Sequence, residues 1–298
     1  MNTTSSTTVT SQNKTIIAWL LLCLLATMWG SSFLIMKKAL PTFSPVQIGA
    51  LRIMAAGLVF LPWVISHRKE YPKAKTKYFF ASGFLGYFLP AFLFALAGTR
   101  VNSSLIGALN SATPLFVLIV GAIFFQQIIR RWQAIGLIMG FVGSIVLILS
   151  ASKDGLSFNN PYALLVILSA LMYGFNVNIT GKFLSTINPV LLTAWTLFGV
   201  GIMAGVVLFS TDFLSKINQA TLYPLLLIIF LGVVNSGIAT IIFNYILQIA
   251  SPVFASSVTY LIPVVATMMG FLDGEPISLL HYFGMSIILV GVYLINKK

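Results

Sequence analysis

The sequence predicts an all-α membrane protein whose ten transmembrane helices form two inverted five-helix repeats. Three observations carry that expectation. The chain is 58% hydrophobic and only 7% charged, whereas a water-soluble domain carries roughly a quarter charged residues, so it cannot build a solvated surface. Apolar stretches near the ~20 residues that cross a bilayer recur along the chain with short polar breaks. The two halves also match each other in order at a nearly constant offset.

Residues 1–15 are rich in Ser, Thr and Asn, too polar to bury anything, and are expected to form a disordered tail. A first helix follows at 17–36; it is too long and continuous for a cleaved signal segment. Further spans are expected at 45–65, 78–98, 102–125, 132–150, 161–182, 189–209, 222–247, 252–272 and 278–295. Pro45, Pro161, Pro189 and Pro252 stand near helix starts, where the missing N–H costs nothing. Repeat boundaries follow at 16–151 and 152–298.

An even number of spans puts both termini on one side, and the positive-inside rule selects it. With the termini inside, eleven basic residues fall on the cytoplasmic side, five of them between Arg68 and Lys77, against five outside. The expected location is therefore an inner membrane with both termini cytoplasmic. The basic cluster also suits anionic lipid headgroups. Nucleic acid is excluded as a partner, because the basic residues sit in the breaks without aromatic interleaving. Cys23 is the lone cysteine, so no intramolecular disulfide forms, and no cofactor or metal pattern is present.

The repeat is read from paired residues. Trp29-Gly30 matches Tyr173-Gly174 and Pro45-Val46 matches Pro189-Val190 at an offset of 144. Pro114 matches Pro263 at 149, and Gly136 and Gly143 match Gly284 and Gly291 at 148. Each copy holds five helices, so the second starts on the opposite side and is inverted. Two such copies present equivalent inward and outward faces around a midplane site.

The run Met28-Trp29-Gly30-Ser31-Ser32-Phe33, followed by Pro45 and Arg52, resembles the opening of EamA-type members of the drug/metabolite transporter superfamily. Gly274-Glu275-Pro276, then Gly284 and Gly291, is similar to the turn and last helix of a family repeat. The resemblance covers residues 16–296. It implies transport of small metabolites such as amino acids, commonly efflux, with the bilayer and a small-molecule substrate as partners; the oligomeric state stays open, a homodimer included. In the first repeat, Phe125-Gln126 stands where the family carries Gly-Glu.

Polar stripes on apolar helices mark a bundle interior. Ser103, Gly107, Asn110 and Pro114 share one face, Tyr173 and Asn176 another, and Ser236, Thr240 and Asn244 a third. Substrate contacts are expected from Trp29, Ser32, Tyr87, Asn110, Tyr173, Asn176, Asn244 and Tyr260. Helix-to-helix hydrogen bonding is the alternative for the hydroxyls and amides. Pro114 and Pro263, midway along their helices, each free a carbonyl for a kink or a ligand. Arg52, roughly 10 Å from its helix end, attracts a substrate anion or else caps carbonyls or snorkels outward. No acid lies centrally in a span; Asp273 and Glu275 at the outer mouth could carry a proton or simply cap a turn. A membrane-embedded enzyme is the rival reading, but His67 and His281 lie in separate breaks and no nucleophile-plus-base cluster exists. A passive channel would need a polar pore that continues to both membrane faces.

Overall fold

The computed structural model describes residues 11–101, 103–151, 161–272 and 278–297. Among these, every regular element is helical. The first half holds α1 (Ser11–Ala39), α2 (Pro45–Leu58), α3 (Leu61–Ser66), α4 (Thr76–Gly83), α5 (Leu89–Gly98), α6 (Ser103–Asn110), α7 (Thr113–Phe125) and α8 (Arg131–Ala151). The second holds α9 (Ala163–Ile179), α10 (Pro189–Phe209), α11 (Leu222–Phe230), α12 (Ala239–Ile249), α13 (Pro252–Ser256), α14 (Val258–Leu272) and α15 (Leu279–Ile295). Six helical stretches are long and apolar enough to cross a membrane, and Pro45–Leu58, Thr113–Phe125, Pro252–Val265 and Leu279–Ile295 are shorter apolar helices. The protein is thus a multi-pass membrane protein.

Local chemistry sets the boundaries. Pro45, Pro189 and Pro252 each occupy the first turn of a helix, and Ser44, Asn188 and Ser251 accept a backbone N–H at the preceding cap, each such cap contributing about 1 kcal/mol. Several expected single spans are interrupted. The second breaks at Val59–Phe60, where Pro62 cannot donate to the preceding turn and starts α3 instead. The fourth breaks at Ser111–Ala112, so Pro114 sits in the first turn of α7 rather than midway along a helix. Pro263 does lie inside α14. The third and eighth spans stay continuous but widen into π-helical turns at Phe84–Phe88 and Leu231–Ile238. α1 begins at Ser11, within the segment expected to be a tail.

The turn after α7 corrects the register of the first-repeat motif. Gln126 has φ 58°, the one positive-φ non-glycine among the described residues, and the Gln127 N–H returns to Gly121 O at 3.0 Å, as in a Schellman motif. Gln126 therefore stands in the glycine position and Gln127 in that of the acid, one residue later than Phe125-Gln126. Counting back from Gly136 and Gly284 pairs Gln127 with Glu275 at the same offset of 148.

Packing between the halves is reciprocal. α2 meets α10, and a methyl added at Gly57 would lie 3.0 Å from Gly201 Cα and 2.6 Å from Leu197 O. Gly57 and Gly201 are themselves counterparts at 144. In α8 and α15, Gly136 abuts Gly291 while Gly143 abuts Gly284, the exchange expected of a two-fold contact. α1 packs on α11, α12 and α14; α9 packs on α4, α5 and α7. The small residues let backbones approach where lipid offers no hydrophobic drive for association. α10 is the most enclosed of the long helices, 56% buried against 28% for the stretch Lys73–Gly98. Residues such as Ile123, Phe124 and Val206 face outward, as lipid-exposed positions should.

Both described chain ends lie at one end of the bundle. Lys297 Nζ sits 4.3 Å from the Trp132 ring at the start of α8, and Ala18 and Ile295 share one apolar cluster. This end is called the terminal face.

Candidate functional site

The first helix of each half meets a π-helical turn of the other half, α1 at Leu231–Ile238 and α9 at Phe84–Phe88, and the polar residues collect at those junctions. On one side Trp29 Nε1 donates to Asn235 O at 3.0 Å, while Asn235 Nδ2 donates to Ser32 Oγ at 2.8 Å and to Met28 O. The Trp29 ring lies 5.7 Å from that of Phe243. On the other side Ser82 Oγ donates to Asn176 Oδ1 at 2.6 Å, and Thr180 Oγ1 donates to the same oxygen at 3.3 Å. The Tyr87 hydroxyl interacts with the side chains of Asn176 in α9 and Thr240 in α12, joining the two halves.

Arg52 joins this belt from α2. Its Nε donates to Ser236 Oγ at 2.7 Å, so it reaches across to the other half and does not snorkel outward. Tyr173 lies within electrostatic range of both Arg52 and Tyr87. Arg52, Tyr87 and Tyr173 sit at the depth of the bundle and yet keep accessible surface, so they border a space and are not sealed into a core. Gly232 packs on the Arg52 backbone and Gly86 on the Asn176 amide. Any side chain there would displace these neighbours.

Five of the expected contact residues thus converge, Trp29, Ser32, Tyr87, Tyr173 and Asn176, and Arg52, expected as a gating or structural residue, joins them. Others lie apart. Asn244 Nδ2 donates to Thr193 Oγ1 at 2.9 Å in the contact of α12 with α10. Asn110 ends α6, and its carbonyl accepts the Thr113 hydroxyl at 2.7 Å. Tyr260 is fully buried, its hydroxyl donating to Leu137 O at 3.0 Å and its ring filling the notch over Gly140; this position corrects the expected substrate contact, because no surface is left to offer. Glu275 and Asp273 lie outside the described residues. Asn235, Ser82 and Thr180 were not anticipated. For Ser82 and Asn235 the signal is a second repeat, Phe84-Leu85-Gly86 against Phe230-Leu231-Gly232 at an offset of 146, which marks the π-helical turns at Phe84–Phe88 and Leu231–Ile238; Thr180 opens a third such turn, Thr180–Leu184. Such turns frequently accompany functional sites.

A profile of the EamA-like transporter family matches residues 16–149 and again 160–297. The chain belongs to the EamA-like transporter family. An uncharacterized transporter of Archaeoglobus fulgidus is 27% identical over 94% of this EamA-like chain and 99% of its own. The uncharacterized inner membrane transporter YedA of Escherichia coli is 24% identical over 90% of this chain and 87% of its own, and protein PecM of Dickeya dadantii is 24% identical over 91% of each. One crystal structure superposes with a TM-score of 0.73 at 17% identity, covering 95% of this chain and 96% of the other. The relatives support a membrane transporter, and two EamA copies account for the paired residues of the two halves.

Proposed function

We propose that this EamA-like protein exports small metabolites such as amino acids by alternating access, with ten transmembrane helices in two inverted repeats that rock about the belt between them. The observation that carries this reading is the crossing of α2 and α10. Gly57 meets its own counterpart Gly201 there, while Gln47 at the start of α2 bonds Asp212 just past the end of α10. Two antiparallel helices that touch counterpart to counterpart are related by an axis perpendicular to both, which in a bilayer lies in the membrane plane. That symmetry supplies two equivalent access paths to one midplane site. The π-helical turns put irregular backbone beside the site, where such backbone is tolerated in membranes. The inner-membrane YedA relative and the basic cluster Arg68–Lys77 support an inner-membrane location with cytoplasmic termini.

The test uses protein reconstituted in liposomes with a pool of labelled amino acids. A rocking carrier accelerates uptake of label when the same unlabelled solutes are loaded on the opposite side. Flux that follows the gradient without such acceleration would make the protein a channel, and chemical conversion of the pool would make it an enzyme.

A further inference from the structure

We infer that the transported solute carries a carboxylate or phosphate group that pairs with Arg52, an inference that rests on the transporter reading. Arg52 is the one charged residue in the belt, and its single hydrogen bond to described residues uses Nε, directed at the neutral Ser236. The two terminal nitrogens have no acceptor among the described residues. They are not sealed in either: among the described residues the one buried side-chain nitrogen or oxygen without a partner is Thr196 Oγ1. Arg52 keeps accessible surface and lies within electrostatic range of Tyr173.

No carboxylate among the described residues balances the charge. The carboxylates among the described residues are Glu70 and Asp212; Glu70 is exposed in the segment after α3, and Asp212 pairs with Lys216 at 3.5 Å beyond α10. An uncompensated cation in a membrane interior is expensive. A structural role does not explain it, because a neutral amide could donate to Ser236 without that cost, and the backbones of α2 and the turn at Gly232 already pack directly. A guanidinium with Nε engaged and both terminal nitrogens free presents a fork matched to a planar carboxylate or to two phosphate oxygens. The phenolic group of Tyr173 supplies a neutral donor within electrostatic range of it. A solute that brings its own negative charge completes the belt, whereas a cationic solute meets repulsion.

Two measurements on full-length protein test this. In a detergent solution low in small anions, R52Q should melt at or a few degrees above the wild type, since the charge is lost and a donor to Ser236 is kept. A fall in melting temperature would make Arg52 structural and overturn the inference. Lactate, L-threonine and glycerol 3-phosphate are then compared with lactamide, threoninamide and glycerol, and with chloride. At least one acid should raise the wild-type melting temperature while its neutral or amidated counterpart does not; the carboxylate and phosphate arms separate the two anion classes. Stabilisation by chloride alone would overturn the inference. In cells, the solutes that wild-type protein enriches in the medium should all bear an anionic group, their export falling about tenfold or more in R52Q and less in R52K. Enrichment undiminished in R52Q would overturn the anion site and leave transport standing. No enriched solute at all, with protein present in the membrane, would remove the transport reading and this inference with it.

Discussion

At the face away from the chain ends, the first turn of α2 is bonded to the other half of the molecule. Gln47 is 1% exposed; its Nε2 donates to Asp212 Oδ1 at 2.7 Å and Thr211 Oγ1 at 3.2 Å, and its Oε1 accepts from Lys216 Nζ and from the Ser44 N–H. At the terminal face the counterpart of Gln47 is Leu191, and the counterparts of Thr211 and Asp212 are His67 and Arg68, all at the offset of 144. No such latch forms there. His67 Nδ1 stays with Ser66 Oγ and Trp63 O of its own segment, and Trp63, His67, Asn188, Val190 and Leu191 line a pocket. Halves of one ancestry thus end their central crossing in two ways, one by hydrogen bonds between repeats and one by aromatic packing, with Tyr78 stacked on Phe183 at 4.1 Å nearby. For a rocking motion the difference sets which end parts at lower cost.

The most severe way to break the comparison is to destroy the pivot common to both ends. G57L places a side chain 2.6 Å from the Leu197 carbonyl and against the Gly201 backbone, neither of which can rotate away. A loss of about 3 kcal/mol or more is expected, read as disappearance of folded protein from the membrane fraction. Wild-type abundance and melting would show that the two helices can separate without harm.

Next in size is Q47L, which copies the terminal-face residue onto the opposite face. Four hydrogen bonds are removed, several to partners that regain water, for a net loss of about 2 kcal/mol. A cysteine at Ile48, 2% exposed in the wild type, should then react faster with a thiol reagent in a background where Cys23 is replaced by serine. The exposed Lys216–Asp212 pair would contribute little on its own, so unchanged reactivity in Q47L would mean that apolar packing, not the amide, holds this face.

How much of this was legible follows from what periodicity can see. Trp29, Tyr173, Asn176 and Arg52 stood out because a polar or amphipathic group in an apolar run needs a partner; the structure gives Trp29, Asn176 and Arg52 a hydrogen bond across the halves and sets Tyr173 within electrostatic range of Arg52. Asn235 escaped because stripes spaced by four residues assume an unbroken α-helix, and the π-helical turn at Leu231–Ile238 shifts the facing positions within it. Pro114 was misplaced because the short polar stretch Asn110-Ser111-Ala112-Thr113, flanked by apolar residues, reads equally well as an interior stripe of one helix and as a helix break. Tyr260 looked like a ligand contact since its acceptor, the Leu137 carbonyl, and its socket at Gly140 belong to a helix more than a hundred residues away.

The smallest effect concerns the turn after α7, the sequence counterpart of Gly274-Glu275. Gln126 holds φ 58°, a conformation that costs a non-glycine residue about 1 kcal/mol, and its side chain is exposed. The neighbouring Gln127 does the bonding, its Nε2 donating to Asn178 Oδ1 at 2.9 Å, while Asn178 Nδ2 holds the Val117 and Gly174 carbonyls. Q126G removes the backbone strain and no contact, but it adds freedom to the unfolded chain, which offsets part of the gain. The net expectation is a stabilisation of about 0.5 kcal/mol, a rise in melting temperature of about 1–2 °C, with transport unchanged. Q127A, in contrast, frees Asn178 Oδ1 inside the bundle and should lower the melting temperature. If Q126G were the more damaging of the two, Gln126 would be holding the terminal face through its side chain, and the assignment of the acid's place to Gln127 would be wrong.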